Sequence, residues 1–189
     1  MSSKSKKGFT IIEVVLVLAI AGLIFLMVFI ALPALQRSQR NTQRGDDLSR
    51  VLTAINSYQS NNNGKVPFGT GTGYTAGVDT NFVPRYIDDK CDTPAAKTVG
   101  TGTGAQSALG YSNCVDQFTD PDGTIYMIKH EAKATAAGNS AGSTMDHIFH
   151  VYTNATCGDE GKYVLGSGDR QVAVFYFLEG GAVSCNDNH

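Results

Sequence analysis

The feature that most constrains this chain is an uninterrupted apolar run close to its N-terminus. Nineteen residues, from Val14 to Leu32, contain no charged or strongly polar side chain. Because an α-helix rises about 1.5 Å per residue, this run predicts a helix that nearly spans the ~30 Å hydrocarbon core of a bilayer. Lys4, Lys6 and Lys7 precede the run. They predict that the N-terminus stays in the cytoplasm and that the rest of the chain lies outside.

Two ordinary interpretations of this segment leave one residue unexplained. A secretory signal peptide has an apolar stretch of roughly 7–15 residues and a small-x-small cleavage site. The run is longer than that, although Ala31 and Ala34 offer a weak site. A plain single-pass anchor fits the length. Neither interpretation predicts Glu13, because a carboxylate within an apolar helix is costly unless it is paired or protonated, and such residues are functional by default.

The residues around Glu13 resemble a known processing signal. They read Lys7-Gly8-Phe9-Thr10-Ile11-Ile12-Glu13-Val14-Val15-Leu16-Val17-Leu18. This stretch resembles the prepilin leader-peptidase signature of type IV pilins and type II secretion pseudopilins, and the resemblance covers about 25 of the 189 residues. It implies that the leader is cut after Gly8, that the new N-terminal Phe9 is methylated and that the apolar helix is retained.

The resemblance also implies a role for Glu13 and a set of partners. In a filament, its carboxylate would pair with the Phe9 amine of a neighbouring copy, so that two charges that are costly in an apolar core neutralise each other. The implied partners are other copies of the chain, minor pilins, a prepilin peptidase, membrane lipid before assembly, and an inner-membrane assembly platform with its ATPase. The implied locations are the bacterial cytoplasmic membrane for the precursor and then an extracellular pilus for adhesion, motility or DNA uptake.

Three alternatives remain open at this stage. Within the family, the chain would be a type II secretion pseudopilin or a minor, initiating pilin. Outside it, the chain would be a static single-pass domain with an enzymatic or metal-binding body. Such a body would need a pocket with converging titratable groups.

Two residues of the apolar segment predict a break in the helix. Pro33 removes one backbone hydrogen bond and clashes with the carbonyl four residues earlier, and Gly22 is a second weak point. The resemblance implies that a proline-containing stretch unwinds when a fibre is pulled. The alternative is that Pro33 only bends the chain at the membrane surface.

Beyond Pro33 the sequence predicts an amphipathic helix. Apolar residues recur at helical spacing and form a stripe for packing against a sheet: Leu48, Val51, Leu52, Ile55 and Tyr58. The run Asn61-Asn62-Asn63-Gly64 predicts the end of the helix, and Pro67 prevents its resumption. Arg37, Arg40 and Arg44 share another face, where they would bind anionic lipid headgroups or acidic neighbours, or simply be solvated beside Asp46 and Asp47.

The fold class predicted from these patterns is α+β, a long N-terminal helix followed by a sheet of three or four antiparallel strands, as in pilins. We divide the chain into a cleaved leader (1–8), a membrane or filament-core helix (9–33), an amphipathic helix (34–63), a variable Gly-rich loop region (64–122) and a sheet with a C-terminal loop (123–189). The predicted strands are Thr124–Lys129, His147–Tyr152, Gln171–Leu178 and Ala182–Cys185.

The cysteines predict two disulfide bonds in an exported body. Their even number in such a chain favours pairing, with three possible connectivities among Cys91, Cys114, Cys157 and Cys185. The pairing of sequence neighbours would close loops of about 20–30 residues, each worth roughly 3 kcal/mol. The alternative is four reduced, partly buried thiols.

Little else in the sequence predicts chemistry, so we expect no enzyme and no cofactor. His147 and His150 fall on a predicted strand, where their spacing sends them to opposite faces and makes them a poor zinc pair. Asp120 and Asp122 resemble the start of a calcium loop, but the glutamate that completes such a loop is missing, and an ordinary Asp-Pro-Asp-Gly turn is favoured.

The charge of the chain argues against binding to nucleic acid. The formal net charge is −2, and loss of the first eight residues would remove three lysines and take it to −5. A mildly acidic body lacks the clustered Lys and Arg residues that phosphates require, so no specific nucleic-acid partner is predicted.

Overall fold

The computed structural model describes residues 8–68, 79–92, 95–99, 106–110, 114, 118–139 and 147–189. The chain divides into two compact units, an N-terminal unit of residues 1–39 and a C-terminal unit of residues 40–189. The two Gly-Thr repeats, at 69–73 and 100–104, lie outside the described residues.

One helix, α1, dominates the first third of the chain. It runs from Ile11 to Asn61 without interruption. The predicted break at Gly22 and Pro33 is therefore wrong for the single chain. Proline removes only the N–H that would donate to the carbonyl of Phe29, and the apolar residues on both sides of it are good enough helix formers to keep the neighbouring turns intact.

The end of α1 agrees with the prediction from the asparagine run. The N–H of Gly64 donates to the carbonyl of Gln59 at 2.7 Å. Asn63 and Gly64 both have positive φ, 55° and 78°. Such a left-handed cap satisfies a carbonyl that the helix leaves unpaired, and asparagine and glycine are the residues that adopt it most readily.

The described residues after α1 form a short helix, a six-stranded sheet and a three-stranded sheet, which confirms the α+β class. Helix α2 spans Phe82–Tyr86, and a single turn of 3₁₀ helix spans Asp159–Gly161. The large sheet has the order β1-β2-β3-β5-β8-β9, and the small sheet has the order β4-β7-β6. The strands are β1 Ala95–Val99, β2 Gln106–Gly110, β3 Met127–Lys133, β4 Gly138–Asn139, β5 Ile148–Thr153, β6 Ala155–Cys157, β7 Lys162–Leu165, β8 Val172–Phe177 and β9 Val183–Asp187.

All four predicted strands are present as β3, β5, β8 and β9, but the sheet is larger than predicted and is not wholly antiparallel. The region 64–122 contributes α2, β1 and β2 to the fold, although its sequence predicts loops. Strands β3 and β5 are parallel neighbours. A parallel pair needs a long crossover, and the 14 residues between β3 and β5 provide it and include β4 of the small sheet.

Both faces of the interior strand β8 are buried. The predicted helix stripe meets one face, where Val51, Ile55, Val174 and Tyr176 belong to the same core cluster. On the other face, Phe175 packs with residues such as Tyr152 beneath the small sheet. Because each face has its own covering layer, β8 can be apolar at every position, as its sequence is.

Two disulfide bonds are present, and both join sequence neighbours. Cys91 pairs with Cys114 and Cys157 pairs with Cys185, at sequence separations of 23 and 28. The expectation of two disulfides is therefore confirmed, and one of the three possible connectivities is selected. The second bond ties β6 of the small sheet to β9 of the large one.

Candidate functional site

The N-terminal unit exposes the apolar surface that its sequence predicts. Side chains along the first half of α1 are open to solvent, with Phe9 85% exposed and Phe29 72% exposed. Among the described residues, α1 is the one helix long and apolar enough to cross a membrane. An exposed apolar surface of this size is typical of a segment that lies in lipid or packs against other chains.

The sequence-predicted processing and assembly residues lie together at the start of this helix. Gly8 and Phe9 precede it, and α1 begins at Ile11. The N–H of Glu13 donates to the carbonyl of Thr10 at 3.1 Å, and the Thr10 hydroxyl donates to Glu13 Oε2 at 3.4 Å. The carboxylate thus lies in the first turn, where the positive end of the helix dipole favours an anion.

Comparison with protein families identifies this segment. Residues 3–29 match the family model of the prokaryotic N-terminal methylation motif. The chain carries the class III leader of type IV pilins and pseudopilins. No curated protein and no solved structure matches the chain. The motif is typical of pilin-like and pseudopilin-like precursors, and the apolar helix that follows it fits a membrane-anchored form.

The C-terminal unit holds a second, buried polar site around Arg44. The Arg44 side chain is fully buried, and its Nε and Nη2 each donate to an oxygen of Asp120 at 2.7 Å. Its Nη1 donates to Glu179 at 2.7 Å, and Glu179 also accepts two hydrogen bonds of 2.7 Å from Arg40. We call Arg40, Arg44, Asp120 and Glu179 the arginine clasp, because together they join α1 to two distant turns.

The clasp contradicts the predicted solvation of Arg44 and agrees with the alternative that it binds acidic residues. Arg44 is neither solvated nor free to meet lipid. It binds acidic residues, as one alternative proposed, but these residues belong to the same chain. Arg37 is exposed. The sequence does contain the signal for this burial, since Arg44 precedes Leu48 by one helical turn and lies on the same stripe.

The charges of the clasp stabilise one another. Burial alone would raise the pKa of Asp120, but hydrogen bonds from Arg44, Tyr176 and the Asp122 backbone hold it well below its usual range. Hydrogen bonds to Asp120 raise the pKa of Arg44 above its already high ordinary value. Hydrogen bonds from Arg40 and Arg44 lower the pKa of Glu179 to about 2. The clasp therefore stays ionised in all but strongly acidic solution.

The predicted Asp-Pro-Asp-Gly turn is present. Gly123 donates its N–H to the Asp120 carbonyl at 2.8 Å and has a φ of 90°. His147 lies beside this turn, with Nδ1 3.6 Å from Asp120 and Nε2 3.5 Å from Asp122. The interaction with Asp120 raises the pKa of His147, although burial opposes the effect.

The surroundings of the turn fit a cation site poorly. Asp120, Asp122 and His147 have ligand atoms close together. However, both oxygens of Asp120 already accept hydrogen bonds from Arg44. A guanidinium in that position repels a metal ion, so the geometry favours an ion-paired turn over the weak calcium candidate.

The other histidines have separate environments. His150 is buried, and its Nδ1 lies 2.5 Å from Glu131, which also pairs with Lys129 at 2.8 Å. Burial alone would raise the pKa of Glu131, but hydrogen bonds from His150 and Lys129 outweigh it and lower the pKa. His130 is buried against Phe68, with its Nε2 3.2 Å from the Thr153 hydroxyl. His147 and His150 contact different acidic groups, but His147 precedes β5, which begins at Ile148, so the predicted placement of both histidines on one strand is wrong.

Proposed function

We propose that this chain is a structural subunit of a type IV pilus, cut between Gly8 and Phe9 and assembled helically into an extracellular filament. The observation that carries the proposal is a methylation motif joined to an exposed apolar helix that holds one carboxylate, Glu13. Lipid would cover this helix in the precursor, and the helices of other copies would cover it in the filament.

The position of Glu13 supports assembly over a static anchor. A static anchor gains nothing from a carboxylate at this depth, whereas a filament core needs a partner for every new N-terminal amine. Cleavage after Gly8 creates that amine on Phe9, four residues before Glu13. Pairing of the amine with the Glu13 of a neighbour neutralises both charges and sets the stagger between copies.

The remaining parts of the proposal come from the same family resemblance. The subunit is cut by a prepilin peptidase, extracted by a membrane platform with its ATPase, and joined by minor pilins. Adhesion, motility and DNA uptake are the proposed roles of the filament.

A type II secretion pseudopilin is the second candidate, since it would share the leader and the glutamate. The arginine clasp and the two disulfide bonds favour the pilus. Arg44 occupies the carboxylate that a calcium loop beside Asp120 would require, and two covalent cross-links suit a subunit that remains on the cell surface. Calcium binding by the full-length chain with a dependence on Asp122 would favour the pseudopilin.

The deciding experiment is the N-terminal mass of the protein in sheared surface material from the native cell. The proposal expects a mature chain that begins at methylated Phe9 and sediments with filaments. An intact chain beginning at Met1 and confined to the membrane, in cells with an active leader peptidase, would mean a static anchor instead.

A further inference from the structure

The Cys157–Cys185 disulfide bond lies where the two sheets meet at their edges. Cys157 is the last residue of β6, an edge strand of the small sheet, and Cys185 is the middle residue of β9, a terminal strand of the large sheet. Both cysteines are half-buried. The bond therefore lies at the border of the core, and the rate at which an external thiol reacts with a disulfide depends on such access.

Two hollows adjoin this bond, and both are lined by Cys157 and Cys185. The first has a volume of about 440 Å³, and its other lining residues include Gly161 of the 3₁₀ turn and Ala182. The second has a volume of about 470 Å³, and its other lining residues include Thr53 of α1. Thr53 and Ala182 are exposed, so both hollows open to solvent. An external thiol thus has two places from which to approach the same bond.

The Cys91–Cys114 bond has a different setting. Cys91 is only 5% exposed and belongs to the main core cluster, and the half-buried Cys114 packs against that cluster. Neither cysteine is among the described residues that line the two hollows. The two bonds close loops of similar length, at sequence separations of 23 and 28, so the chain-entropy model does not distinguish them. The difference between the two bonds is one of access.

A hydrogen bond duplicates the covalent link between β6 and β9. The Asp187 carboxylate on β9 accepts from the Cys157 N–H on β6 at 2.6 Å. β9 is also held by its ladder with β8, and the Asn186 amide donates to the Ser49 hydroxyl on α1 at 2.8 Å. These contacts do not involve sulfur. They would keep the two thiols close together in a folded body after the disulfide bond opens.

We propose that Cys157–Cys185 is a thiol–disulfide exchange site, which an external dithiol opens reversibly while Cys91–Cys114 stays closed. One thiolate of the dithiol attacks the sulfur of either cysteine, and the other cysteine leaves as a thiolate and takes up a proton. The second thiol of the dithiol then resolves the mixed disulfide. Two electrons and two protons pass from the dithiol to the chain, and the reverse reaction closes the bond. This exchange does not depend on assembly into a filament.

Limited reduction of the full-length chain in detergent tests the difference between the two bonds. Dithiothreitol is added under native conditions, free thiols are alkylated at timed intervals, and peptide masses show which cysteines carry the label. Cys157 and Cys185 should be labelled about tenfold faster than Cys91 and Cys114, with unchanged near-UV circular dichroism of the tyrosines. Equal rates would mean that global unfolding exposes both bonds. That result, faster opening of Cys91–Cys114, or no reduction before denaturation would overturn the exchange site.

Filling the hollows gives a second measurement. Thr53→Trp and Ala182→Trp each place a large side chain at an exposed position that lines one hollow. At least one of them should slow the reduction of Cys157–Cys185 about fivefold, because the bond is then approached from fewer directions. The matched control is Ser57→Trp, which lies one turn further along α1 at an exposed position and should leave the rate unchanged. Unchanged rates in both filling variants would refute the hollows as the route of attack.

A parallel experiment with reduced thioredoxin in place of dithiothreitol identifies the source of the dithiol. Faster reduction per thiol by thioredoxin would assign the site to a protein with a C-x-x-C dithiol, whereas reduction by dithiothreitol alone would assign it to small thiols. Removal of the dithiol and addition of oxidised glutathione should then restore the Cys157–Cys185 bond. Pairing of either cysteine with Cys91 or Cys114 instead would contradict a local, reversible opening.

Discussion

The two halves of helix α1 show opposite relations between polarity and burial. The first half is almost entirely apolar and, apart from the half-buried Ala21, exposed, while the second half buries the charged Arg44. Burial therefore does not follow from the hydrophobicity of a helix alone. It depends on where the partners of each side chain lie. The partners of Arg44 are in the same chain, whereas the apolar side chains of the first half are exposed in the part of the chain that the structure describes. Under the proposed function, lipid or other copies would cover them.

The strongest test of this contrast is a substitution of Glu13, the single carboxylate in the exposed half. If Glu13 finds its partner only in a filament, Glu13→Ala should reduce the yield of sheared filaments by about a hundredfold, because an unpaired amine in an apolar core costs several kcal/mol. Melting of the C-terminal unit should not change. Glu13→Asp, which retains the charge, is the matched control and should keep part of the yield. Normal filaments from the alanine variant would disprove the assembly role of Glu13.

The corresponding test in the buried half is Arg44→Met. Removing the guanidinium leaves the fully buried Asp120 side chain without its cation, so the free energy of unfolding should fall by about 3–5 kcal/mol. Denaturation of the full-length chain in detergent, followed by near-UV circular dichroism of its tyrosines, measures this change. Arg37→Met, at an exposed position, should shift the free energy by less than about 0.5 kcal/mol. Equal effects of the two substitutions would mean that the clasp contributes nothing to stability.

The disulfide bonds should have a smaller and more uniform effect. Replacing Cys157 and Cys185 together by alanine should lower the free energy of unfolding by about 3 kcal/mol, and the Cys91–Cys114 pair should contribute a similar amount, since the loops that they close are alike in length. The same denaturation measurement on reduced wild-type protein provides the comparison. Loss of membrane insertion in either double variant would contradict the division of roles between the two units.

The smallest expected effect is a pH dependence from His147. Its pKa is raised in the folded body above the ordinary 6.5, so its ion pairs stabilise the fold fully below about pH 6.5 and this contribution is lost as the pH rises through the higher, folded pKa. Thermal melting across that window should show the loss in the wild type. His147→Gln should remove it, whereas His189→Gln should leave it in place. If the melting temperature of His147→Gln still falls with rising pH as it does in the wild type, another group causes the pH dependence.

Much of the fold could be predicted from local patterns. The stripe Leu48, Val51 and Ile55 predicted the buried face of α1, and the asparagine run predicted its end. The strongest alternating segment became β8. These predictions succeed because the period of a helix or strand and the chemistry of a cap are properties of adjacent residues.

Most of the predictions that failed concern residues whose structure depends on partners far away in sequence. Arg44 meets Asp120 and Glu179 from 76 and 135 positions away, and no local pattern indicates that distance. Strands β1 and β2 have weak alternation and gain their order from pairing with each other and with β3. Pro33 predicted a break, but the loss of one hydrogen bond was not enough to interrupt a helix of 51 residues.

The sequence by itself determined the leader, the apolar helix, the position of Glu13 and the even set of cysteines, because each is encoded in residue type and short spacing. Only the tertiary structure decided which cysteines pair, which arginine is buried and how the described strands divide between two sheets. Those features depend on the packing of side chains far apart in sequence, where burial determines whether a charge is solvated or must find a partner.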